Sequence, residues 1–148
     1  MLYFKSKRSA ALIIIQFISI GLIFAVGNPI PSNPLLIVLL FIASLPGLIG
    51  ILQMKWKVNI PPDVRNNSIL IQTGIYKFIR HPMYFSVIFV CLISVLNDIS
   101  TVRILFFIVL FLTILLKHTY EEHLLTEAFG EKYISYQKTT KRFIPFIF

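Results

Sequence analysis

Long apolar runs, interrupted only by short polar segments, constrain the fold of this chain more than any other feature. Two of them, residues 9–26 and 35–54, are long enough to cross the roughly 30 Å hydrocarbon core of a bilayer as helices. Two more, residues 82–97 and 102–117, are shorter, about 23 Å each as helices, and the polar tip between them predicts a helical hairpin. The sequence therefore predicts an all-α integral membrane protein with about four transmembrane helices in two hairpins.

The composition supports a membrane protein of a single domain, residues 1–148. Only 14% of the residues are charged and the mean hydropathy is +0.83, whereas soluble domains carry roughly 25% charged residues. The formal net charge is +8. Because the basic residues flank apolar runs, this charge indicates contact with the lipid bilayer and its anionic headgroups, and we expect no nucleic-acid partner.

The distribution of basic residues predicts the topology. They precede the first span and follow the second, at Lys55–Lys57. The positive-inside rule places both ends in the cytoplasm, and four spans then place both termini and the intervening site there. An alternative for the first run is a signal peptide, since Ala25–Gly27 resembles a small-x-small cleavage site. Within the second run, Pro46-Gly47 predicts a kink.

Two polar segments remain outside the spans. Residues 58–81 form a long connection, which in so small a protein is more often functional than idle. Residues 118–148 combine charges with apolar residues at helical spacing, such as Leu124, Leu125 and Phe129. This pattern predicts an amphipathic helix on the cytoplasmic face, interrupted at Gly130.

The tripeptide Arg80-His81-Pro82 stands where the third span begins. Proline is well suited to the first position of a helix, because its missing N–H has no partner there anyway. The helix N-terminus offers free N–H groups and partial positive charge, and together with Arg80 and His81 it would attract an anion such as a carboxylate. The alternative is a cap whose arginine snorkels to the interface.

A second cluster, formed by His118, Glu121 and Glu122, lies near one face of the helix that follows the fourth run. Adjacent carboxylates just beyond a membrane span are costly unless they pair or bind a ligand, and a cation or ribose hydroxyls would suit them. The alternative is a solvated helix start. A metal bound with His81 and His123 is a further alternative, but His-x-x-Glu-Glu-His differs from the His-Glu-x-x-His pattern, and we assign no metal.

Three blocks of sequence together are similar to one family. They are Gly-Ile-Tyr-Lys-Phe-Ile-Arg-His-Pro-Met-Tyr at Gly74–Tyr84, Glu-Glu-x-x-Leu-x-x-x-Phe-Gly-x-x-Tyr-x-x-Tyr at Glu121–Tyr136, and Arg-Phe-Ile-Pro at Arg142–Pro145. In this order and spacing they resemble the isoprenylcysteine carboxyl methyltransferase family, part of a wider group of small membrane methyltransferases that includes phospholipid methyltransferases. The resemblance covers roughly residues 50–148, and the first two spans match only in kind.

The resemblance implies methyl transfer from S-adenosylmethionine to a lipophilic acceptor, either a prenylcysteine-like carboxylate or a lipid head group. The cofactor would lie in a cytoplasmic pocket, and the acceptor would enter from the bilayer. By the same resemblance, Arg142, Glu122 and Lys117 are the candidate catalytic residues. The implied cofactor contacts are Ser68, Ile69, Leu70, Ile71, Gly74, Tyr76, His81, Pro82, Met83, Tyr84, Glu121 and Glu122.

Two positions depart from the family pattern. Ser86 stands where glycine is common, which we expect to narrow the pocket. Lys117 stands where arginine is common; lysine keeps the charge but loses the bidentate fork, so the acceptor can differ.

Methyl transfer from a sulfonium requires few catalytic groups from the protein. Sulfonium methyl transfer is an in-line displacement, for which holding donor and acceptor about 3–3.5 Å apart does most of the work. A carboxylate acceptor needs no base, whereas an amine must lose a proton, for which Glu122 or His118 is available. The alternatives from other classes are a membrane NADPH-dependent enone or sterol-type reductase and a non-enzymatic membrane scaffold.

Overall fold

The computed structural model describes residues 6–54 and 69–143, and these parts of the chain are helical, without a β-strand. The helices are α1 (Lys7–Ala25), α2 (Pro34–Gln53), α3 (Pro82–Asn97), α4 (Thr101–Phe129) and α5 (Glu131–Thr139), with a 3-10 turn at Gly74–Lys77 before α3. Helices α1, α2 and α4 are long and apolar enough to cross a membrane, and α3 is a shorter apolar helix. The prediction of an all-α membrane protein is confirmed.

The helices pack in two pairs, α1 with α4 and α2 with α3, and α3 also touches α1 and α4. Buried apolar side chains between α1, α3 and α4 form the core: Ile23, Tyr84, Ile88, Cys91, Val95, Leu110, Ile114 and Phe143. Large apolar side chains on the outer faces of α2 and α4, such as Phe41 and Leu105, are exposed, as expected of surfaces that face lipid.

Polar contacts define two opposite ends of the bundle. At one end the tip between α3 and α4 meets the turn after α1, where Asp98 accepts from Asn28 N–H at 2.7 Å. The buried guanidinium of Arg103 donates to Ile23 O, Asp98 O and the Ser94 hydroxyl. These bonds join α1, α3 and α4 at this end of the bundle.

The other end carries the start of α1 together with the polar half of α4. The Ser6 hydroxyl lies 3.3 Å from the Tyr120 hydroxyl, and the Arg8 guanidinium lies 4.9 Å from the centre of the Tyr120 ring. The basic start of α1 and the Glu121-Glu122 pair are therefore on the same side of the bundle.

Helix α4 contains both the fourth apolar run and part of the polar segment that follows it. The sequence predicts an amphipathic helix from residue 118, and α4 runs through this position without a break to Phe129, so that it is 29 residues long, about 43 Å. Residues 101–129 contain no glycine or proline, so nothing in this sequence breaks the helix. The break comes at Gly130, as predicted, where φ is +54°, a value that suits glycine. The boundary of the membrane at residue 117 stays a prediction.

After α5 the chain returns to the segment that precedes α3. Arg80 N–H donates to Lys141 O at 2.8 Å, His81 N–H donates to Arg142 O at 3.1 Å, and Lys141 N–H donates to Phe78 O at 3.2 Å. These bonds form a short parallel bridge that fixes the backbone of Arg80 and His81 just before Pro82 begins α3. The predicted apolar tail after Phe143 lies outside the described residues.

Candidate functional site

The carboxylate of Glu122 on α4 is the centre of the polar cluster. Its Oε1 lies 2.8 Å from Arg80 Nε and 3.1 Å from His81 Nε2, and it accepts from the Tyr133 hydroxyl at 3.0 Å. Its Oε2 accepts from Gln137 Nε2 at 2.9 Å. A single side chain therefore joins α4 to the segment before α3 and to α5.

Arg80 is buried and fully engaged within the protein. Besides Glu122, its guanidinium donates to Thr140 O at 2.6 Å, to the Thr140 hydroxyl and to Gln137 O. The expected alternatives for this arginine were an anion-binding group and a snorkelling cap. The structure shows a third arrangement, in which the guanidinium pairs with Glu122 and fixes the return of the chain after α5.

The imidazole of His81 lies between the two adjacent carboxylates. Its Nε2 faces Glu122, and its Nδ1 is 3.7 Å from Glu121 Oε2. The same Glu121 oxygen accepts from the Tyr84 hydroxyl at 2.5 Å, and the Tyr84 ring stacks on the imidazole with 5.3 Å between ring centres. The structure thus brings the segment before α3 and the Glu121-Glu122 pair of α4 together in one cluster.

His118 has a buried nitrogen without a partner. Its side chain is only 4% exposed, and Nε2 has no hydrogen-bond partner among the residues that the structure describes, although Glu122 Oε1 is 3.5 Å away. Ligand atoms of His81, His118 and Glu122 lie within 4.8 Å of one another, close enough for a metal ion. However, the guanidinium of Arg80 bonds to Glu122 and opposes a second cation there. The open nitrogen suits a polar ligand better.

Buried phenols add neutral hydrogen-bond donors around the cluster. Burial, with the nearby charge of Glu121, raises the pKa of Tyr76 to about 12. Burial and the charge of Glu122 raise the pKa of Tyr133 well above its usual value. The Tyr136 hydroxyl, whose pKa burial also raises, donates to Tyr76 O at 2.5 Å. All three phenols therefore stay protonated near neutral pH and act as donors.

Close packing of α2 positions the start of α3. A Cβ atom at Gly50 would lie 2.9 Å from Pro82 Cγ, so the proline ring packs directly on the backbone of α2. Gln53 at the end of α2 accepts from Ile75 N–H at 3.0 Å, and Gly74 beside it has a φ of +60°. The end of α2 thus contacts Gly74, Tyr76 and Pro82 and fixes the backbone next to the cluster.

An apolar groove of about 620 Å³ adjoins the cluster and is bounded by α1, α2, α3 and α4. Tyr84 and Glu121 belong to both, and Lys117 lies beside them with its Nζ 5.2 Å from the centre of the Tyr84 ring. Farther along α3 the lining turns apolar, for example at Val87 and Val90. A polar ligand in the cluster and an apolar ligand in the groove would therefore be neighbours.

Ser86 also lines this groove, where its hydroxyl accepts from Gly47 N–H at 2.8 Å. A second cavity, of about 600 Å³, lies between residues 72–77 and α5, and the residues that line it include Lys77 and Lys132.

The remaining predicted site residues are placed less centrally. Met83 lines the groove, whereas Ile69 is 83% exposed and Leu70 and Ile71 are partly buried outside the cluster. Ser68 lies outside the described residues. Arg142 is exposed, and its backbone carbonyl accepts from His81 N–H.

Sequence reasoning did not identify several residues that complete the site. Tyr133 and Gln137 bind Glu122 from one face of α5, and their four-residue spacing was a usable signal. Gln16 of α1 accepts from Lys117 Nζ at 2.8 Å. A lone amide inside an apolar run signals a buried polar partner, but the sequence could not tell which one.

The fold and the site define a helical membrane protein that brings a polar cluster next to an apolar groove. The sequence matches the family model of phospholipid methyltransferases over residues 35–132, more than half of the chain. The chain belongs to the phospholipid methyltransferase family, membrane enzymes related to the isoprenylcysteine carboxyl methyltransferases. No curated protein matches the sequence at a significant level.

The family match and the sequence resemblance both indicate a small membrane methyltransferase, but they cover different residues. It begins at α2, earlier than residue 50, and it ends at residue 132, before Arg142. Membership makes the chain a membrane methyltransferase with a lipid-type acceptor. It lends no support to the reductase or scaffold alternatives.

Proposed function

We propose that this protein transfers a methyl group from S-adenosylmethionine to an amphiphilic acceptor whose apolar part lies in the groove. The observation that carries the proposal is that Tyr84 and Glu121 belong both to the polar cluster and to the apolar groove. A water-soluble donor and a lipophilic acceptor need such a junction in order to meet.

The residues of the cluster suit the charges of this cofactor. S-adenosylmethionine carries a carboxylate, an ammonium, a sulfonium and ribose hydroxyls, and when bound it supplies an electrophilic methyl group. Glu121 and Glu122 offer acceptors for its cations and hydroxyls, and His81 offers a donor for its carboxylate. The buried, unpartnered Nε2 of His118 is a further polar atom that a ligand would satisfy.

In this proposal most side chains of the site bind and orient. Tyr84 and Glu121 form the junction, Met83 lines the groove side, and Gly74, Tyr76 and Pro82 fix the position of His81. The segment at Ser68, Ile69, Leu70 and Ile71 remains a proposed cofactor contact on the basis of the family resemblance alone.

Proton transfer depends on the acceptor. A carboxylate acceptor needs no base. For an amine acceptor, His118 is the better-placed base, since its Nε2 makes no hydrogen bond within the described residues, whereas Glu122 already accepts from Arg80 and Tyr133. For Arg142 the family resemblance implies a position near the polar head of the acceptor or a role as a clamp on the pocket.

We place this reaction at the cytoplasmic surface of the membrane. Lys7 and Arg8 lie at the start of α1, on the same side of the bundle as the cluster, and the positive-inside rule assigns such an end to the cytoplasm. The acceptor is a prenylcysteine-like carboxylate or a lipid head group.

Calorimetric titration of the purified protein with S-adenosylmethionine and with S-adenosylhomocysteine tests the cofactor. We expect binding to wild type and a loss of at least about tenfold in affinity for His81→Ala, as removal of a hydrogen bond to a charged group predicts. The matched control is His123→Ala, because His123 is exposed on the same helix as Glu122. Absence of binding to folded wild-type protein would contradict the proposal, and NADPH would be the next ligand to titrate.

A further inference from the structure

Lys117 is a buried cation that donates a hydrogen bond to a neutral side chain, Gln16. Its side chain lies in the wall of the groove and is only 1% exposed. Its Nζ donates to Gln16 Oε1 at 2.8 Å and lies over the ring of Tyr84. No ion pair within the described parts of the chain includes Lys117. An ammonium has three N–H donors, so two remain after the bond to Gln16.

The negative charge of Glu121 acts on Lys117, but the two side chains form no direct ion pair. Glu121 lines the same end of the groove, one helical turn after Lys117, but its Oε2 accepts from Tyr84 and faces His81. The other polar groups of the lining, Ser44 and Ser86, are neutral hydroxyls. Burying an ammonium in a membrane protein without a paired charge is costly, and such residues commonly mark a ligand site.

The rest of the groove is suited to an apolar tail. Phe17 and Ile20 of α1 face Leu48 and Ile51 of α2 across it, and Val90 lines it along α3. The lining is thus apolar except for the group around Lys117 and the two serines. The occupant that matches this lining has an apolar chain and an acidic head that accepts hydrogen bonds from an ammonium.

We propose that the groove selects amphiphiles with an anionic head, a carboxylate or a phosphate, and that Gln16 positions Lys117 to bind this head. Gln16 precedes the family match at residues 35–132, so α1 supplies this element of selectivity. The inference rests on the proposed function in taking the occupant of the groove as the methyl acceptor. The binding preference itself can be measured without methyl transfer.

The test compares amphiphiles that share one chain and differ in the head. Wild-type protein in nanodiscs of phosphatidylcholine is titrated with dodecanoate, dodecyl phosphate, dodecanol and dodecylammonium, and empty nanodiscs supply the background for partitioning into lipid. We expect the two anions to bind about tenfold tighter than the alcohol, as hydrogen bonds to a charged group predict. Whichever of the two anions binds more tightly indicates whether the acceptor carries a carboxylate or a phosphate.

Variants test the roles of the two residues. Lys117→Gln should abolish the preference for anions, whereas Lys117→Arg, which keeps the charge, should retain it. Gln16→Leu should lower the affinity for the anions and leave the affinity for dodecanol unchanged. Gln16→Glu, which pairs Lys117 with a carboxylate, should lower the affinity for the anions further. The matched control is Ser19→Ala, a buried polar residue of α1 outside the groove lining.

Equal binding of all four amphiphiles to wild type, or tighter binding of dodecylammonium, would overturn the inference. This comparison needs wild-type protein alone, so it holds even if every variant fails to fold. A Gln16→Leu variant that keeps the full preference would overturn the role of Gln16. Titration with S-adenosylmethionine separates this inference from the proposed function. Wild-type protein that prefers anions but does not bind S-adenosylmethionine would refute the proposed function and leave this inference standing.

Discussion

At the scale of single residues, Glu122 determines how the site is held together. It accepts hydrogen bonds from α5 through Tyr133 and Gln137, and it pairs with Arg80 from the segment before α3. A side chain with so many partners acts on stability as well as on ligand binding. Substitutions at Glu122 therefore need a stability measurement beside any test of activity.

Glu122→Gln keeps the size of the side chain but leaves the buried guanidinium of Arg80 without its charged partner. We expect the free energy of unfolding to fall by about 3 kcal/mol, because the guanidinium loses its counter-ion in a buried setting. The measurement is thermal and denaturant unfolding in a mild detergent.

Glu127→Gln is the control for Glu122→Gln. Glu127 lies on the same helix and pairs with His123 at 3.3 Å, but both side chains are more than half exposed. We expect a change below about 1 kcal/mol, typical of surface ion pairs. Similar losses in the two variants would show that the Arg80–Glu122 pair has no special role in stability.

At the scale of the helices, the contact between α2 and α3 depends on glycine. Pro46-Gly47 predicts a kink, and helix α2 includes both residues without ending there. Gly47 also meets Ser86, where an added Cβ would lie 2.8 Å from the serine Cβ. The reason for the glycine is a partner 39 residues away, which no local pattern contains.

Gly47→Ala should push α2 away from α3 and lower the free energy of unfolding by about 1–3 kcal/mol, as overpacking does. Gly21→Ala is the matched control, because no atom lies within 4 Å of the Cβ that it adds to α1. Since alanine favours a helix by up to about 1 kcal/mol, Gly21→Ala should be neutral or stabilising. Equal effects of the two variants on the unfolding midpoint would contradict this account of the packing.

At the scale of the whole molecule, the two ends of the bundle differ in the polar contacts that they carry. Arg103 and the tip between α3 and α4 close one end by bonds within the protein. The other end combines the Glu122 cluster with the polar part of the groove, and our proposal places ligand binding there.

Much of this arrangement could be predicted from sequence. Apolar runs located the helices, and the sequence singled out the two polar segments, before α3 and along α4, that the structure brings together. The pairs that complete the site could not be predicted, because Arg80 and Glu122 are 42 residues apart and Gln16 and Lys117 are 101 apart. Local periodicity predicts which face of a helix is buried, but it does not predict which distant side chain that face meets.

The measurement that tests the central claim most directly is transfer of a labelled methyl group. Membranes that contain the protein are incubated with S-adenosylmethionine labelled in its methyl group, and label is counted in the organic extract. We predict label in the extract with wild type and at least about a hundredfold less with His81→Ala, since both binding and orientation are lost. Folded wild-type protein that binds S-adenosylmethionine but transfers no label to the lipid extract would contradict the claim.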